Sequence, residues 1–101
     1  MPTIEAPKVV ETADVQAKPK FYPNYRVLLH NDDEVFAGLV IEALMKHIPK
    51  MNEQKAVAIM MQAHQTGVGE VIVCNQEHAE MYQMLLQNEG LTITIEPVDV
   101  G

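Results

Sequence analysis

Asn31, Asp32, Asp33 and Glu34 stand together between the apolar run "VLLH" and a second apolar pattern that begins at Val35. Three successive carboxylates repel one another, so the run needs a reason: a helix to cap or a cation to meet. Capping accounts for part of it, with Asp32 or Asp33 as N-cap and Glu34 beside the positive end of the helix dipole. One cap does not use three acids, and the surplus suits a cationic visitor. His64 lies one helical turn beyond Met60 and on the same face. It is either a partner for a helix C-terminus or a neutral acceptor for that visitor. Around it, "IMMQAH" sets unbranched methionines beside the small Ala63, which leaves an adaptable apolar hollow.

Other chemistries find little in the chain. The four histidines, His30, His47, His64 and His78, are separated by 17, 17 and 14 residues, unlike a local metal motif. Asp32 and Asp33 do not begin a calcium loop, which needs oxygen ligands at alternate positions and a glycine at the sixth. Neither a Gly-rich phosphate loop nor a nucleophile elbow is present. The single cysteine, Cys74, allows no disulfide framework and no Cys-rich zinc site, and a reducing compartment is expected. We therefore expect no metal, no cofactor and no catalytic residue.

The chain of 101 residues suits one domain with a modest core, and 48% hydrophobic residues are enough to fold it. Its formal charge of −7 is unevenly placed. Residues 1–24 balance Lys8, Lys18 and Lys20 against Glu5, Glu11 and Asp14, so the four remaining bases face eleven acids. Such a surface repels phosphate backbones and excludes nucleic acid as a partner. No apolar run approaches the ~20 residues that span a bilayer, and no secretory leader is expected. A cytoplasmic place, or the plastid stroma, is expected.

These side chains must be positioned by elements that the periodicity predicts. Residues 1–24 hold four prolines and no period, and read as a flexible arm. The fold is expected over 25–97, with a tail at 98–101. "YRVLLH" alternates as a strand. From Val35 the residues Phe36, Val40, Ala43, Leu44, His47 and Ile48 follow a helical stripe, stopped by Pro49. Asn52 is the expected N-cap of a second helix with Ala56, Ile59, Met60 and Ala63 inward, ended by Gly67 and Gly69. "EVIVC" reads as a short buried strand. A third helix turns Ala79, Tyr82, Leu85 and Leu86 inward and stops at Gly90, and "LTITIEP" alternates as the last strand. The order βααβαβ predicts an α+β two-layer sandwich, a three-stranded sheet with three helices on one face.

In this order and at this spacing, "YRVLLHNDDEVFAGLVIEAL", "KAVAIMMQAH" and "QEHAE" resemble the ClpS family, adaptors of the Clp protease that recognise N-degrons. The similarity covers residues 24–97. It implies three helices against an antiparallel sheet and a site in which Asn31, Asp32 and His64 surround the free α-amino group of a substrate's first residue, with Asp33 beside them. It implies that the hollow for that residue's apolar side chain is lined by Met60, Ala63, Leu44, Ile41 and Leu91. Val35 stands where the family often has Thr, and Ala37 where a Met commonly guards the mouth. The implied partner is a Clp AAA+ unfoldase of the ClpA or ClpC kind, met by the arm and by the helix carrying Glu77, Glu80 and Tyr82, the last in place of a Lys. The element order is also similar to the ribosomal stalk protein's C-terminal domain, an interaction module with no amine pocket, which is the alternative reading.

Overall fold

The structure, a computed structural model, describes residues 24–98. The expected arm and tail lie outside the described residues, apart from Asn24 and Val98. The elements are β1 (Tyr25–His30), α1 (Ala37–His47), α2 (Glu53–Thr66), β2 (Val68–Cys74), α3 (Gln76–Asn88) and β3 (Ile93–Pro97). β1 is the centre of an antiparallel sheet ordered β2-β1-β3. Its alternation buries Val27 and Leu29 on the helix side, in one core with Ala43, Leu44, Ala56, Ala63, Ala79 and Leu86 of the helices and Ile93 of β3. The expected two-layer sandwich, with three helices on one face, is the observed one. On the opposite face Arg26 reaches across both neighbours, to Glu96 on β3 at 2.9 Å and Glu70 on β2 at 3.6 Å.

The later helix boundaries follow their sequence signals. Asn52 accepts the Lys55 N–H at 2.8 Å and Asn75 accepts the His78 N–H at 2.8 Å, each satisfying an otherwise orphaned amide. Gly67 caps α2 with φ 96°, and Gly90 follows α3 with φ 99°, values at which a Cβ is strained.

Several local expectations are corrected. Neither Asp32 nor Asp33 caps α1: the N-cap position is Phe36, with no side-chain cap, and the helix starts at Ala37. The acids close a turn ahead of the helix instead. Phe36 does not join the buried stripe; it is 79% exposed. "EVIVC" is not buried throughout, since Val73 and Glu70 are exposed on a strand with an open face. Tyr82 is turned into the core, so on α3 only Glu77 and Glu80 of the three expected docking residues stand at the surface.

Gly69 does not end α2 but lies in β2, beneath it. A Cβ at Gly69 would stand 2.5 Å from the Ile59 carbonyl oxygen and 3.3 Å from the Ala63 nitrogen. Backbone atoms cannot yield as a flexible side chain does, so the glycine sets how closely α2 seats on the sheet. Gly69→Ala should therefore lower stability by about 1–3 kcal/mol, an overpacking cost, measurable by urea unfolding.

The C-terminal ends of α1 and α3 are joined by polar contacts: the His47 ring lies 2.8 Å and the Lys46 ammonium 3.2 Å from the same Glu89 oxygen. The His47 hydrogen bond, then that of Lys46, holds the Glu89 carboxyl below its ordinary value. A depressed carboxylate contributes stability above its unfolded pKa, and that contribution is lost as pH falls through the lower folded value. Glu89→Gln should thus be less stable than the parent above about pH 5, with the difference closing below about pH 4, in parallel thermal melts.

Candidate functional site

The site starts at the end of β1. The His30 N–H donates to the Thr92 carbonyl at 2.9 Å, and the next amide, of Asn31, donates the other way, to the Gly67 carbonyl at 3.0 Å. The acidic run is thereby held between the start of β3 and the C-terminus of α2. Asp32 then folds the chain: its Oδ1 accepts the Glu34 N–H at 3.0 Å while its carbonyl accepts the Val35 N–H at 3.1 Å. Its Oδ2 accepts the Thr92 hydroxyl at 3.1 Å. With both oxygens engaged the carboxylate plane is set, and each oxygen keeps lone-pair capacity for a further donor. The Asn31 side-chain nitrogen donates to Asp33 Oδ1 at 3.1 Å. That contact turns the amide so that its oxygen is left as an acceptor.

These residues form the rim of a hollow of about 360 Å³, the size of a small ligand pocket, which runs from ~300 Å³ upward. Its lining brings together eight residues singled out in the sequence: Asn31, Asp32, Asp33, Val35, Ala37, Met60, Ala63 and His64. Leu29, Val40 and Met61 complete the apolar part, and His30 also lines it. The His30 ring is occupied with the Thr94 hydroxyl at 2.7 Å. Among the described residues the lining holds no lysine or arginine, so the acids face the opening unopposed and favour a cation.

Three residues expected in the lining stand elsewhere, which corrects that part of the reading. Leu44 and Leu91 are buried in the core and are not among the residues that line the hollow. Ile41 follows Val40 by about 100° around α1, which turns it to another face. Val40 and Met61 were missed although each neighbours a named position, Val40 one turn beyond Ala37. Thr92 had no local signal; it meets Asp32 from 60 residues away. Among the described residues, no group of three or more His, Cys, Asp or Glu side chains is placed to hold a metal ion, and no helix is long and apolar enough to cross a membrane.

A family model described as ATP-dependent Clp protease adaptor protein ClpS matches residues 20–94, and the chain belongs to that family. It is 52% identical over 90 residues to the ATP-dependent Clp protease adapter protein ClpS of Gloeobacter violaceus, covering 89% of this chain and 95% of that one. It is 44% identical over 84 residues to the chloroplastic adapter protein CLPS1 of Arabidopsis thaliana, covering 83% of this chain and 53% of that one. Among solved structures, that of Agrobacterium tumefaciens ClpS2 bound to L-phenylalaninamide superposes with a TM-score of 0.67 at 30% identity, over 77% of this chain and all of that chain. The stalk-domain reading falls with this assignment.

Asp32 ties the turn both to itself and to β3. Asp32→Ala should cost about 1–3 kcal/mol, from two hydrogen bonds at roughly 0.5–1.5 each. It should also release the Glu34 amide, whose hydrogen exchange, followed by NMR, is expected to quicken at least about tenfold while amides of the β1 interior do not change more than global stability requires.

Proposed function

We propose that this chain binds N-degron substrates by their free α-amino group and apolar first side chain, and delivers them to a Clp AAA+ unfoldase of the ClpA or ClpC kind. One observation carries the reading: a rim of Asn31, Asp32 and His64 and an apolar wall of Val35, Val40, Met60 and Ala63 belong to one hollow. An α-ammonium has three donors and one positive charge, and an amide oxygen, a carboxylate and a neutral imidazole nitrogen offer it three acceptors. Asp33 serves by orienting Asn31. L-phenylalaninamide, held by the Agrobacterium protein, itself joins a free α-amino group to an apolar side chain.

The energetics require both halves. Burying a Leu or Phe side chain contributes roughly 1.5–3 kcal/mol, and each hydrogen bond to a charged group about 1.5–3 before ordering costs. A micromolar site needs about −8 kcal/mol, more than the side chain supplies and more than the hydrogen bonds supply once ordering costs are deducted. The chain acts by binding, with no chemical step of its own. Residues 1–24 and the exposed Glu77 and Glu80 of α3 are its contacts with the unfoldase. A cytoplasmic or plastid setting agrees with the cyanobacterial and chloroplastic relatives.

Selectivity follows from Ala37, the first residue of α1 and part of the lining. A small side chain leaves room beside the β-carbon of the bound residue, so branched Ile and Val are accommodated, while contact with Leu and Phe is reduced by roughly 0.8 kcal/mol per missing CH₂-sized group. The Phe36 ring does not fill this space: it lies against Gly38, where a Cβ would stand 2.8 Å from it. Titrations with peptides beginning Leu, Phe, Ile or Val, each with a free or acetylated N-terminus, test the reading. Free peptides bind and acetylated ones do not; Ile and Val fall within about tenfold of Leu, a gap of ~1.4 kcal/mol, and Ala37→Met rejects them. Equal binding of acetylated peptides would overturn the amine site, and rejection of Ile and Val by the parent would overturn the role of Ala37.

A further inference from the structure

We propose a second docking site, at the opposite end of α2, for a partner's peptide segment that carries carboxylates beside an aliphatic side chain. A hollow of about 390 Å³ opens there between the α1–α2 connection, the first half of α2 and β2, with Ile48, Ile59, Val71 and Ile72 in its wall and Lys50 and Lys55 beside them. It shares no lining residue with the hollow at Asn31.

Two irregularities of the backbone converge on it. In the β1–β2 register Val27 pairs with Ile72 but Leu28 with Glu70, so Val71 is an extra residue with no partner. This bulge lets two successive side chains, Val71 and Ile72, line the same hollow where regular alternation would turn one away. Lys50 has φ 61°, and it is the non-glycine residue in the left-handed region among those described. Such a conformation is strained for a residue with a Cβ. Left-handed side chains other than glycine concentrate at ligand clamps and switches.

Charge identifies the occupant. The described residues hold four bases against ten acids. Arg26 is paired with Glu96 and Glu70, and Lys46 with Glu89. Lys50 and Lys55 have no carboxylate within 4 Å among the described residues, not even that of Glu53 lying between them in sequence, and both line this hollow. On a domain that elsewhere repels anions, two ammonium groups unpaired among the described residues and set beside an aliphatic floor attract an acidic segment to this one place and orient it. The floor supplies burial for an aliphatic side chain and no aromatic or polar surface for a base or sugar.

The test uses the full chain and a hexapeptide of two leucines flanked on each side by two glutamates, acetylated and amidated so that it has no α-ammonium, titrated by NMR. Saturable shifts are expected at the Lys55, Ile59 and Ile72 amides and none at Asn31 or His64, with affinity falling as salt rises. The double variant Lys50→Gly, Lys55→Gln should weaken binding at least tenfold; it is safe for folding because glycine relieves the left-handed φ. Since the probe is blocked, its binding is independent of the amine site. The proposal is overturned by shifts confined to Asn31 and His64, by unchanged affinity of the double variant, or by equal binding of the same peptide with lysines for glutamates. It is likewise overturned if octanoate saturates the same amides as tightly, which marks a small-amphiphile site, or if residues 1–23 of the peptide-free chain show Overhauser contacts into the hollow, which marks the chain's own arm.

Discussion

The hydrogen bond from the Asn31 amide to the Gly67 carbonyl is the constraint on which the hollow at Asn31 depends. It fastens the residue after the central strand to the residue that caps α2, and so brings Asn31 and His64 to one opening although 32 residues separate them in the chain. Gly67 can accept there because its φ of 96° turns the chain out of the helix within one residue. Gly69, two residues on, lets the helix sit close enough for that bond to form. Glycines on both sides of Val68 thus decide where an asparagine and a histidine meet.

The acidic run divides its work. Asp32 is bound by a main-chain amide on one oxygen and a threonine hydroxyl on the other, while Asp33 holds the Asn31 amide group. Preorganisation of this kind lowers the ordering cost of a ligand, because the acceptors are already aimed. Repulsion among three neighbouring carboxylates is tolerated because each of the first two has a donor. The helix that follows then begins without a side-chain cap, a local weakness offset by burial of Val40, Ala43 and Leu44.

The two ends of α2 differ in sign. At its C-terminal end acids line a hollow with no lysine or arginine; at its N-terminal end Lys50 and Lys55 flank an aliphatic one. On a domain whose other bases are paired, opposite charges thus gather at the two ends of a single helix of 14 residues.

The sequence by itself determined the elements and their order, because those rest on local signals: the period-2 and period-3.6 patterns, Asn52 as cap, Gly67 and Gly90 as stops. The motifs at 31–33 and 60–64 were likewise legible, being contiguous and chemically unusual. Local reading failed where distant residues competed. A capping role for Asp32 was plausible from its neighbours, yet Thr92 and the Glu34 amide claim its oxygens. At Tyr82 the local period was right, turning it inward with Ala79 and Leu86, and it is the docking role implied by the resemblance that the burial rules out. Which apolar residues line a hollow is decided by packing, which brings Val40 into the lining and leaves Leu44, on the same stripe, out of it. The bulge at Val71 and the lack of a partner for Lys50 and Lys55 among the described residues were also decided in three dimensions, because strand register and charge pairing depend on residues far apart in the chain.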